Sequence, residues 1–419
     1  MPSQSCPSCG SVLPVDPRFV TWCDSCDWNL KPEDRPAQAG RLDWAASALG
    51  RRLGDRMADR LAETDQLAPR LTPAKLAAYG IAALVHAFVL GLVVLGVWLV
   101  VEEGLFLKIG GALLLGLAFL MRPRLGTRPK NGVITRAEAP TLYAFVDEIA
   151  ASLRTASAHT IAITSDFNAS WAVVGIRRQR VLTLGLPLLS VLEPQEQTAV
   201  IAHELAHGRN GDSTRGLFVG SAIDGLAELY ATLVPPRQYD GVEALGPAEL
   251  AARPVLWLIG QPFRLLLMLE LALLLQDSKR AEYLADQLAA ETAGTAAEIG
   301  FQEKLLLGGS IGMAVHQHVV GRTPSRGDVF DALRQAVDNV PRRELERRRR
   351  VARLEGARLG AAHPPTAKRI EVLERRPTAA AAVVLDPRRR AAIDGEIAAV
   401  RAALSRQIVE QYRADLAAW

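Results

Sequence analysis

The sequence predicts an α+β fold that is mostly helical and contains a small β-hairpin sheet. Three observations predict it: apolar residues recur at helical spacing through much of the chain, two long apolar runs follow one another before residue 122, and two short apolar stretches flank a turn near residue 177. A chain of 419 residues is also long enough for more than one domain. We therefore expect several units, beginning with a small cysteine-rich module.

The composition indicates that part of the chain lies in lipid. Its 49 Lys and Arg residues barely exceed its 45 Asp and Glu residues, and its mean hydropathy of +0.11 is high for a soluble protein with 22% charged residues. Arginine is common throughout, so the stretch 347–350 gives little support for nucleic-acid binding. We expect a lipid bilayer, and no nucleic acid, among the partners.

All four cysteines lie near the N-terminus, as the pairs Cys6-x-x-Cys9 and Cys23-x-x-Cys26. Two such knuckles bring four thiolates into one tetrahedron, which suits Zn²⁺ and stabilises a module too small for a core of its own. The alternative is two local disulfides or a redox pair. We predict a zinc ribbon over residues 1–30 with one structural zinc ion. Thiolate ligands indicate a reducing compartment, and hence a cytoplasmic N-terminus.

Residues 31–75 are predicted to form an amphipathic juxtamembrane linker. Apolar side chains recur there at helical spacing, with arginines on the other faces. They are Leu42, Leu49, Leu53, Met57 and Leu61. Such a helix either lies on an anionic lipid surface or packs on protein, and the sequence favours neither alternative.

Residues 76–122 are predicted to form a transmembrane helical hairpin. Residues 79–101 carry no formal charge and are long enough to cross a hydrocarbon layer about 30 Å thick. The second apolar run, residues 105–121, also spans the membrane if the Lys108 side chain reaches the membrane–water interface. Basic residues flank the hairpin on both sides and Glu102 and Glu103 lie at its tip, so both ends are expected to face the cytoplasm.

Residues 195–207 are predicted to form a helix that begins at Pro194, a favourable first-turn residue. Helical spacing places His203 and His207 one turn apart on one face, where both imidazoles can hold one zinc ion. Glu204 lies beside the first of them, where its carboxylate can take a proton from attacking water. The alternative is a solvent-exposed polar patch. The neighbouring residues are apolar, however, which indicates a buried helix whose imidazoles need partners.

A catalytic zinc ion takes three protein ligands, so a third must come from elsewhere in the chain. A second group of residues resembles the second active-site helix of the HtpX-like membrane zinc peptidases, relatives of the CAAX prenyl endopeptidases. The group consists of Ser278, Arg280, Glu282, Tyr283, Ala285 and Asp286. The resemblance implies that Glu282 is the third ligand of a catalytic zinc. It also implies a zincin-type metallopeptidase domain that hydrolyses peptide bonds of proteins.

The resemblance covers about residues 128–373, within the metallopeptidase domain that is predicted over residues 128–375. Its further motifs are Asn168-Ala169, Asp212, His363-Pro364-Pro365 and Arg369-Ile370. Asp286 lies four residues after Glu282 on the same predicted helical face, so it can orient a liganding histidine from behind. A solvated acidic edge is the alternative. The resemblance implies the same supporting role for Asp212.

Asn168 and Ala169 are expected beside an edge strand that resembles the strand on which zinc peptidases bind substrate backbone. An ordinary hairpin is the alternative. His363 and Arg369 are candidates for binding substrate and stabilising the oxyanion of the tetrahedral intermediate, a role that needs a donor aimed at developing charge. For His363, a structural turn before Pro364 is the alternative.

Two further segments, residues 214–234 and 254–276, are apolar but contain charged side chains. Each is either a membrane span with one polar side or a buried core helix, and the sequence leaves both alternatives open. If His207 and Glu282 meet at one metal ion, both segments must cross the membrane or both must stay on one side.

Residues 376–419 are predicted to form a C-terminal helix whose apolar stripe packs against the body. The stripe consists of Ile393, Ile397, Val400, Leu404, Ile408, Tyr412 and Leu416. This helix and the ribbon lie outside the resemblance, so they are the parts of the chain where specificity could reside.

The resulting expectation is a multi-pass protein of the cell membrane with a cytoplasmic active site. It would use one catalytic and one structural zinc ion to act on protein or peptide substrates, and the resemblance implies misfolded or damaged membrane proteins. The ribbon would bind a protein partner. The alternatives are an inactive membrane-tethered adaptor that uses the ribbon, and a prenyl-protein endopeptidase.

Overall fold

A computed structural model describes residues 2–30, 54–64, 72–209, 216–234, 247–321, 327–355 and 363–417. Most of these residues are helical, and the strands form two small sheets. The prediction of a mostly helical α+β fold is confirmed. Leu42, Leu49, Leu53 and Asp212 lie outside the described residues.

The strands are β1 (Ser3–Ser5), β2 (Val12–Pro14), β3 (Val133–Ile134), β4 (Thr160–Thr164), β5 (Ala169–Val174) and β6 (Gln179–Gly185). The helices are α1 (residues 54–62), α2 (Pro73–Val101), α3 (Leu105–Leu120), α4 (Pro140–Ser152), α5 (Leu186–Val191), α6 (Pro194–Arg209), α7 (Ser221–Leu233), α8 (Pro247–Ala293), α9 (Thr295–Leu305), α10 (Gly308–Val320), α11 (Val329–Asp338), α12 (Arg342–Glu355), α13 (Thr366–Arg375), α14 (Pro387–Glu396) and α15 (Ala398–Ala417).

The larger sheet has the strand order β3-β4-β6-β5. β4 and β6 are parallel, whereas β5 pairs antiparallel with β6, with Ala169 opposite Leu184. α4 and α6 contribute buried side chains to the same hydrophobic core as the sheet, including Phe145 and Leu205. The predicted hairpin is therefore present, and β5 is the edge strand that the sequence led us to expect.

Helices α2 and α3 form a hairpin whose axes approach closely at two glycines. A Cβ atom on Gly111 would lie 2.6 Å from the carbonyl oxygen of Gly96, so only glycine fits at this crossing. Elsewhere the two helices expose large apolar side chains to the outside, including Trp98 and Phe106. In the described part of the chain, α2 and Ala252–Ala293 within α8 are long and apolar enough to cross a membrane, by length and composition, and α3 is shorter.

The two ambiguous apolar segments differ in the structure. The first forms a turn of π-helix (Gly216–Gly220) and the 13-residue α7, which is shorter than the roughly 20 residues of a spanning helix. The second is part of α8, which has 47 residues and continues through Pro254 and Pro262. α7 packs against α8 and α2. One continuous helix therefore joins the second apolar segment to the residues around Glu282.

The C-terminal stripe packs on the body, but it belongs to two helices. The first of them, α14, ends at Glu396, and α15 begins at Ala398. Ile393 and Ile397 are buried in the main core, and Val400, Leu404 and Ile408 pack against it. At the far end of the stripe Leu416 is exposed. The single helix expected over residues 376–419 is thus divided at Ile397.

The N-terminal module docks on α12. The ring of Trp22 is buried between the guanidinium groups of Arg343 and Arg350, whose centres lie 5.2 and 5.1 Å from the ring centroid. Arg350 also donates to the carbonyl oxygen of Asp24 at 2.7 Å and to the carboxylate of Asp27 at 2.8 Å. All four arginines of the stretch 347–350 form ion pairs within the chain. This stretch therefore has a structural role.

The described part of the juxtamembrane linker packs on protein. Ala58 and Leu61 of α1 are buried against Tyr283 of α8 and Val372 of α13. Of the two alternatives that the sequence left open, packing on protein therefore applies to residues 54–62.

Candidate active site

Helix α6 begins at Pro194, as predicted, and presents His203 and His207 on one face. The two imidazole rings have centroids 5.0 Å apart and are nearly perpendicular. His203 is buried, and the His207 side chain is 18% exposed. Apolar residues fill the other faces of the helix and lie in the main core. The helix is therefore held in place by the core, and its two histidines point into a partly open site.

Helix α8 brings Glu282, which lies 75 positions after His207 in the sequence, to the two histidines. One carboxylate oxygen, Oε1, is 3.6 Å from His207 Nε2, and the other, Oε2, is 3.6 Å from His203 Nε2. A tetrahedral zinc ion needs nitrogen and oxygen ligands about 3.4 Å apart. Within the described ranges, no group donates a hydrogen bond to the buried Oε2. The predicted ligand set therefore fits a zinc ion, which would also satisfy this oxygen.

Asp286, one turn beyond Glu282, lies behind His203. Its Oδ1 is 3.1 Å from His203 Nδ1, so the other ring nitrogen, Nε2, faces Glu282. This arrangement fixes the orientation of a liganding imidazole. Burial opposes a charge on His203, but the hydrogen bond to Asp286 and the nearby Glu282 carboxylate outweigh it and raise the pKa of the imidazole to about 10. The alternative of a solvated acidic edge does not hold, because Asp286 is 1% exposed.

Arg369 of α13 is the cation that compensates this buried carboxylate. Its Nε donates to Asp286 Oδ2 at 2.8 Å, and its Nη2 donates to Oδ1. Nη1 also lies 3.5 Å from Glu282 Oε2. Burial alone would raise the pKa of Asp286, but the Arg369 guanidinium holds it below its usual range. The bidentate pairing on Asp286 gives Arg369 a supporting position, an arrangement that the sequence did not indicate.

Two residues of α9, Gln302 and Glu298, also support Asp286 and His203, and the sequence did not indicate them. Gln302 Nε2 donates to Asp286 Oδ1 at 3.2 Å and to Glu298 Oε1 at 2.9 Å. Burial and the neighbouring Asp286 carboxylate raise the pKa of Glu298 to about 8. His203, Asp286 and Glu298 are close enough to form a second ligand group. Because Arg369 and Gln302 already occupy Asp286, we interpret this group as support for His203.

Glu204 lies between the two histidines on α6. Burial raises the pKa of its carboxyl, and the two neighbouring imidazoles partly oppose this effect. A carboxyl group whose pKa lies closer to neutral pH can both accept a proton and return it. The local geometry is therefore suited to general base and acid chemistry.

His363 reaches the site from the loop before α13. Its Nδ1 lies 2.9 Å from Glu282 Oε1, and this hydrogen bond raises the pKa of the imidazole. The side chain is nevertheless 68% exposed. His363 therefore contacts a predicted ligand from the solvent side, in contrast to the buried Arg369.

The edge strand β5 runs beside the end of α6. A Cβ atom on Gly208 would lie 3.1 Å from Trp171 Nε1, so the strand and the helix touch at the residue after His207. The carbonyl oxygen of Asn168 accepts a hydrogen bond from Gly185 at 2.8 Å, and Ala169 begins the strand. The outer edge of β5 pairs with no strand of the described residues.

Comparison with known families agrees with this geometry. The sequence model of peptidase family M48 matches residues 136–377, which is more than half of the chain. The chain belongs to peptidase family M48. The matched region contains both histidines, Glu204, Glu282, Asp286, His363 and Arg369.

Several curated relatives of this M48 chain are proteins named Protease HtpX. The relative from Pseudomonas putida strain W619 is 28% identical over 204 residues, which are 48% of this chain and 59% of that protein. The relative from Pseudomonas fluorescens strain Pf-5 is 27% identical over 193 residues, 45% of this chain and 55% of that protein. The chain therefore spans little more than half the length of these relatives. The resemblance to HtpX-like peptidases is confirmed.

Proposed function

We propose that this chain is a membrane-anchored zinc metalloendopeptidase. One observation carries the peptidase proposal: His203, His207 and Glu282 each offer a ligand atom, and these three atoms lie within 4.8 Å of one another, beside Glu204 and inside the M48 match. The adaptor alternative would have been favoured by an incomplete ligand set. The described residues contain the complete set, so hydrolysis is the better proposal.

In this proposal the two histidines and Glu282 hold the catalytic zinc, and Asp286 fixes the ring of His203. Zinc held in this position acidifies water and polarises a carbonyl group. Glu204 accepts the proton that the attacking water loses and delivers it to the departing amine. The buried Arg369 keeps Asp286 ionised, and the exposed His363 is available to donate to the oxyanion of the tetrahedral intermediate.

The substrates in this proposal are protein or peptide chains that lie along β5. An extended peptide can add to the open edge of this strand near Asn168 and Ala169, where backbone hydrogen bonds give affinity without strict sequence choice. The relatives are named proteases. The resemblance to HtpX-like peptidases implies that the substrates are misfolded or damaged membrane proteins.

The membrane anchor consists of α2, α3 and the apolar part of α8. These helices expose large apolar side chains that water would solvate poorly, which supports burial in lipid. The basic residues on both sides of the α2–α3 hairpin support a cytoplasmic position for its ends and for the active site. The proposed location is the cell membrane, with more than one crossing.

The peptidase proposal is tested by hydrolysis of a fluorescently labelled unfolded protein. We expect the purified chain in nonionic detergent to cleave this substrate. A metal chelator should remove nearly all of the activity, and added zinc should restore it. Cleavage that resists the chelator would identify a contaminating protease. Absence of cleavage by the zinc-loaded chain would favour the adaptor alternative.

The N-terminal module is proposed to hold a separate, structural zinc. Cys6 and Cys26 have sulfurs 3.7 Å apart, and those of Cys9 and Cys23 are 3.5 Å apart. A Zn–S distance of about 2.3 Å requires sulfurs about 3.8 Å apart, so the four thiolates fit one zinc ion. Because Trp22 docks on α12, the ribbon would stabilise the peptidase body in addition to any role with a partner.

Replacement of one ribbon cysteine distinguishes the zinc of the ribbon from the zinc of the histidine site. We expect Cys23→Ser to lower the zinc content by about half and to reduce the melting temperature, because the small ribbon core depends on its metal. Ser25→Ala, in the same knuckle, is the control and should keep the full content. Metal analysis together with thermal unfolding gives the result, and an unchanged zinc content in Cys23→Ser would argue against a ribbon zinc.

A further inference from the structure

The end of α3 has the side chains that membrane helices carry where they leave the lipid. α3 ends at Leu120, and the guanidinium carbon of Arg122 lies 3.8 Å from the ring centroid of Phe119, which is 62% exposed. An exposed aromatic ring beside an arginine at the end of an apolar helix is typical of a membrane–water interface. In the proposed anchor, the end of α3 therefore marks the surface of the bilayer.

The turn between β5 and β6, residues 175–178, is attached to the chain just beyond this point. The N–H group of Gly175 donates to the carbonyl oxygen of Leu125 at 2.7 Å, and a Cβ atom on Gly126 would lie 3.0 Å from Val174. Leu125 is five residues after Leu120, and five residues span at most about 18 Å. The β5–β6 turn therefore lies close to the end of α3.

The β5–β6 turn combines one apolar side chain with two positive charges. Ile176 is 89% exposed, and Arg177 and Arg178, which follow it, are exposed as well. A single exposed isoleucine is common on soluble proteins and indicates nothing by itself. Beside the end of a membrane helix, however, an exposed isoleucine followed by two arginines has the chemistry of a segment that enters the interface. Its apolar group can enter the lipid while its cations bind the headgroups.

The arginines at this end of the sheet lack carboxylate partners. Among the residues that the structure describes, four of them form no ion pair: Arg128, Arg177, Arg178 and Arg180. Arg128 donates to the hydroxyl of Thr160 at 2.8 Å, and Arg180 donates to the carbonyl oxygen of Ser157 at 2.6 Å. Solvation by neutral oxygen atoms leaves their charge in place, and an anionic surface would complement it.

We propose that the β5–β6 turn docks on the surface of an anionic bilayer. The Ile176 side chain enters the interface, and Arg177 and Arg178 bind lipid phosphates. The proposal rests on the membrane anchor of the proposed function, because α3 brings the turn to the bilayer through Leu125. An acidic protein would offer similar charge, but lipid already surrounds the end of α3 in that anchor, which favours lipid as the occupant.

Docking of the turn would hold the proposed substrate strand against the bilayer surface. Trp171 of β5 touches α6 at Gly208, and Val174, at the other end of the strand, is three residues or about 10 Å further on. A peptide added to the edge of β5 would therefore extend from the metal site to the bilayer. The substrate segments of the proposed peptidase would be those that emerge from the membrane surface.

The test measures the depth of the turn in lipid nanodiscs. The fluorescent amino acid dansylalanine, which is apolar like isoleucine, replaces Ile176 in the purified chain, and quenching by lipids with a nitroxide near the headgroup is recorded. We expect strong quenching in discs that contain phosphatidylglycerol and much weaker quenching in discs of phosphatidylcholine alone.

Two further label positions calibrate the measurement. Leu113 is exposed in the middle of α3, so a label there should be quenched by lipids with a nitroxide deep in the acyl chains. Val384 is exposed next to Val383, which bonds to Thr292 near the end of α8. Thr292 lies about 24 Å along α8 from the apolar part that ends near residue 276, so a label at Val384 should not be quenched.

Two double variants distinguish charge at the turn from charge elsewhere. In discs that contain phosphatidylglycerol, Arg177→Gln/Arg178→Gln should lower the ratio of docked to undocked turns about 25-fold, since each basic residue near an anionic surface contributes about fivefold. The control Arg388→Gln/Arg389→Gln removes the same charge from neighbouring arginines at the start of α14, close to Val384. It should leave the ratio within about twofold, because charges far from the bilayer are screened by salt.

The remaining outcomes contradict the proposal in different ways. Quenching at Leu113 with none at Ile176 overturns docking of the turn and leaves the anchor intact, whereas absence of quenching at Leu113 contradicts both. Equal quenching in the two kinds of disc, unchanged in Arg177→Gln/Arg178→Gln, overturns the role of the arginines. A label that responds to added polyglutamate but not to phosphatidylglycerol identifies an acidic protein as the partner instead.

Hydrolysis of the unfolded protein is measured in the same discs. Loss of hydrolysis with quenching intact at Ile176 contradicts the peptidase alone, and intact hydrolysis without quenching at Ile176 contradicts docking of the turn alone.

Discussion

Replacement of Glu204 by glutamine is expected to lower the rate of hydrolysis by about a thousandfold while the zinc content stays unchanged. The amide has nearly the same shape as the carboxylate, so the helix and its histidines remain in place. It cannot accept a proton, and general base catalysis contributes about a hundred- to ten-thousandfold to such reactions. The measurement pairs the rate of cleavage of the unfolded protein with metal analysis of the same sample.

Two further variants are compared with Glu204→Gln: one lacks a metal ligand, and the other is a surface control. His207→Ala should lose both hydrolysis and the zinc of the histidine site, because it removes a ligand. Glu193→Gln changes an exposed carboxylate just before α6 and should keep hydrolysis within about twofold. A fully active Glu204→Gln enzyme would falsify the mechanism, whatever its zinc content.

Replacement of Arg369 by leucine is expected to destabilise the protein by about 3 to 5 kcal/mol. Arg369 is buried with Asp286, and the substitution leaves that carboxylate without its cation in a site closed to water. The loss of one partner from a buried ion pair has a cost of this size. We expect a lower melting temperature and weaker zinc binding, since Asp286 would no longer hold His203 in one orientation.

The matched control is Arg334→Leu, which removes a partly exposed arginine that pairs with Glu193 on the surface. A surface pair contributes about 1 kcal/mol or less, so this variant should unfold near the wild type. The double variant Arg369→Leu/Asp286→Asn removes both charges and should recover part of the lost stability. Equal unfolding of Arg369→Leu and Arg334→Leu would show that the buried pair has no special role.

Local spacing explains why the central site residues were predictable. His203 and His207 are four residues apart, as are Glu282 and Asp286, and a helix places such pairs on one face whatever the rest of the fold does. The pairing of β5 with β6 followed from two strands that are neighbours in sequence, whereas the edge position of β5 was expected from the resemblance. For Glu282, the choice among the chain's many glutamates rested on the resemblance and not on spacing.

The sequence by itself determined the histidine helix, the cysteine cluster and the apolar hairpin, because each depends on residues within a few turns of one another. Tertiary structure alone decided that Arg369 pairs with Asp286, that Gln302 and Glu298 lie behind them, and that Trp22 docks between two arginines of α12. These contacts join residues that are distant in sequence and depend on how whole helices pack. The burial that gives each of them its strength exists only once the core has formed.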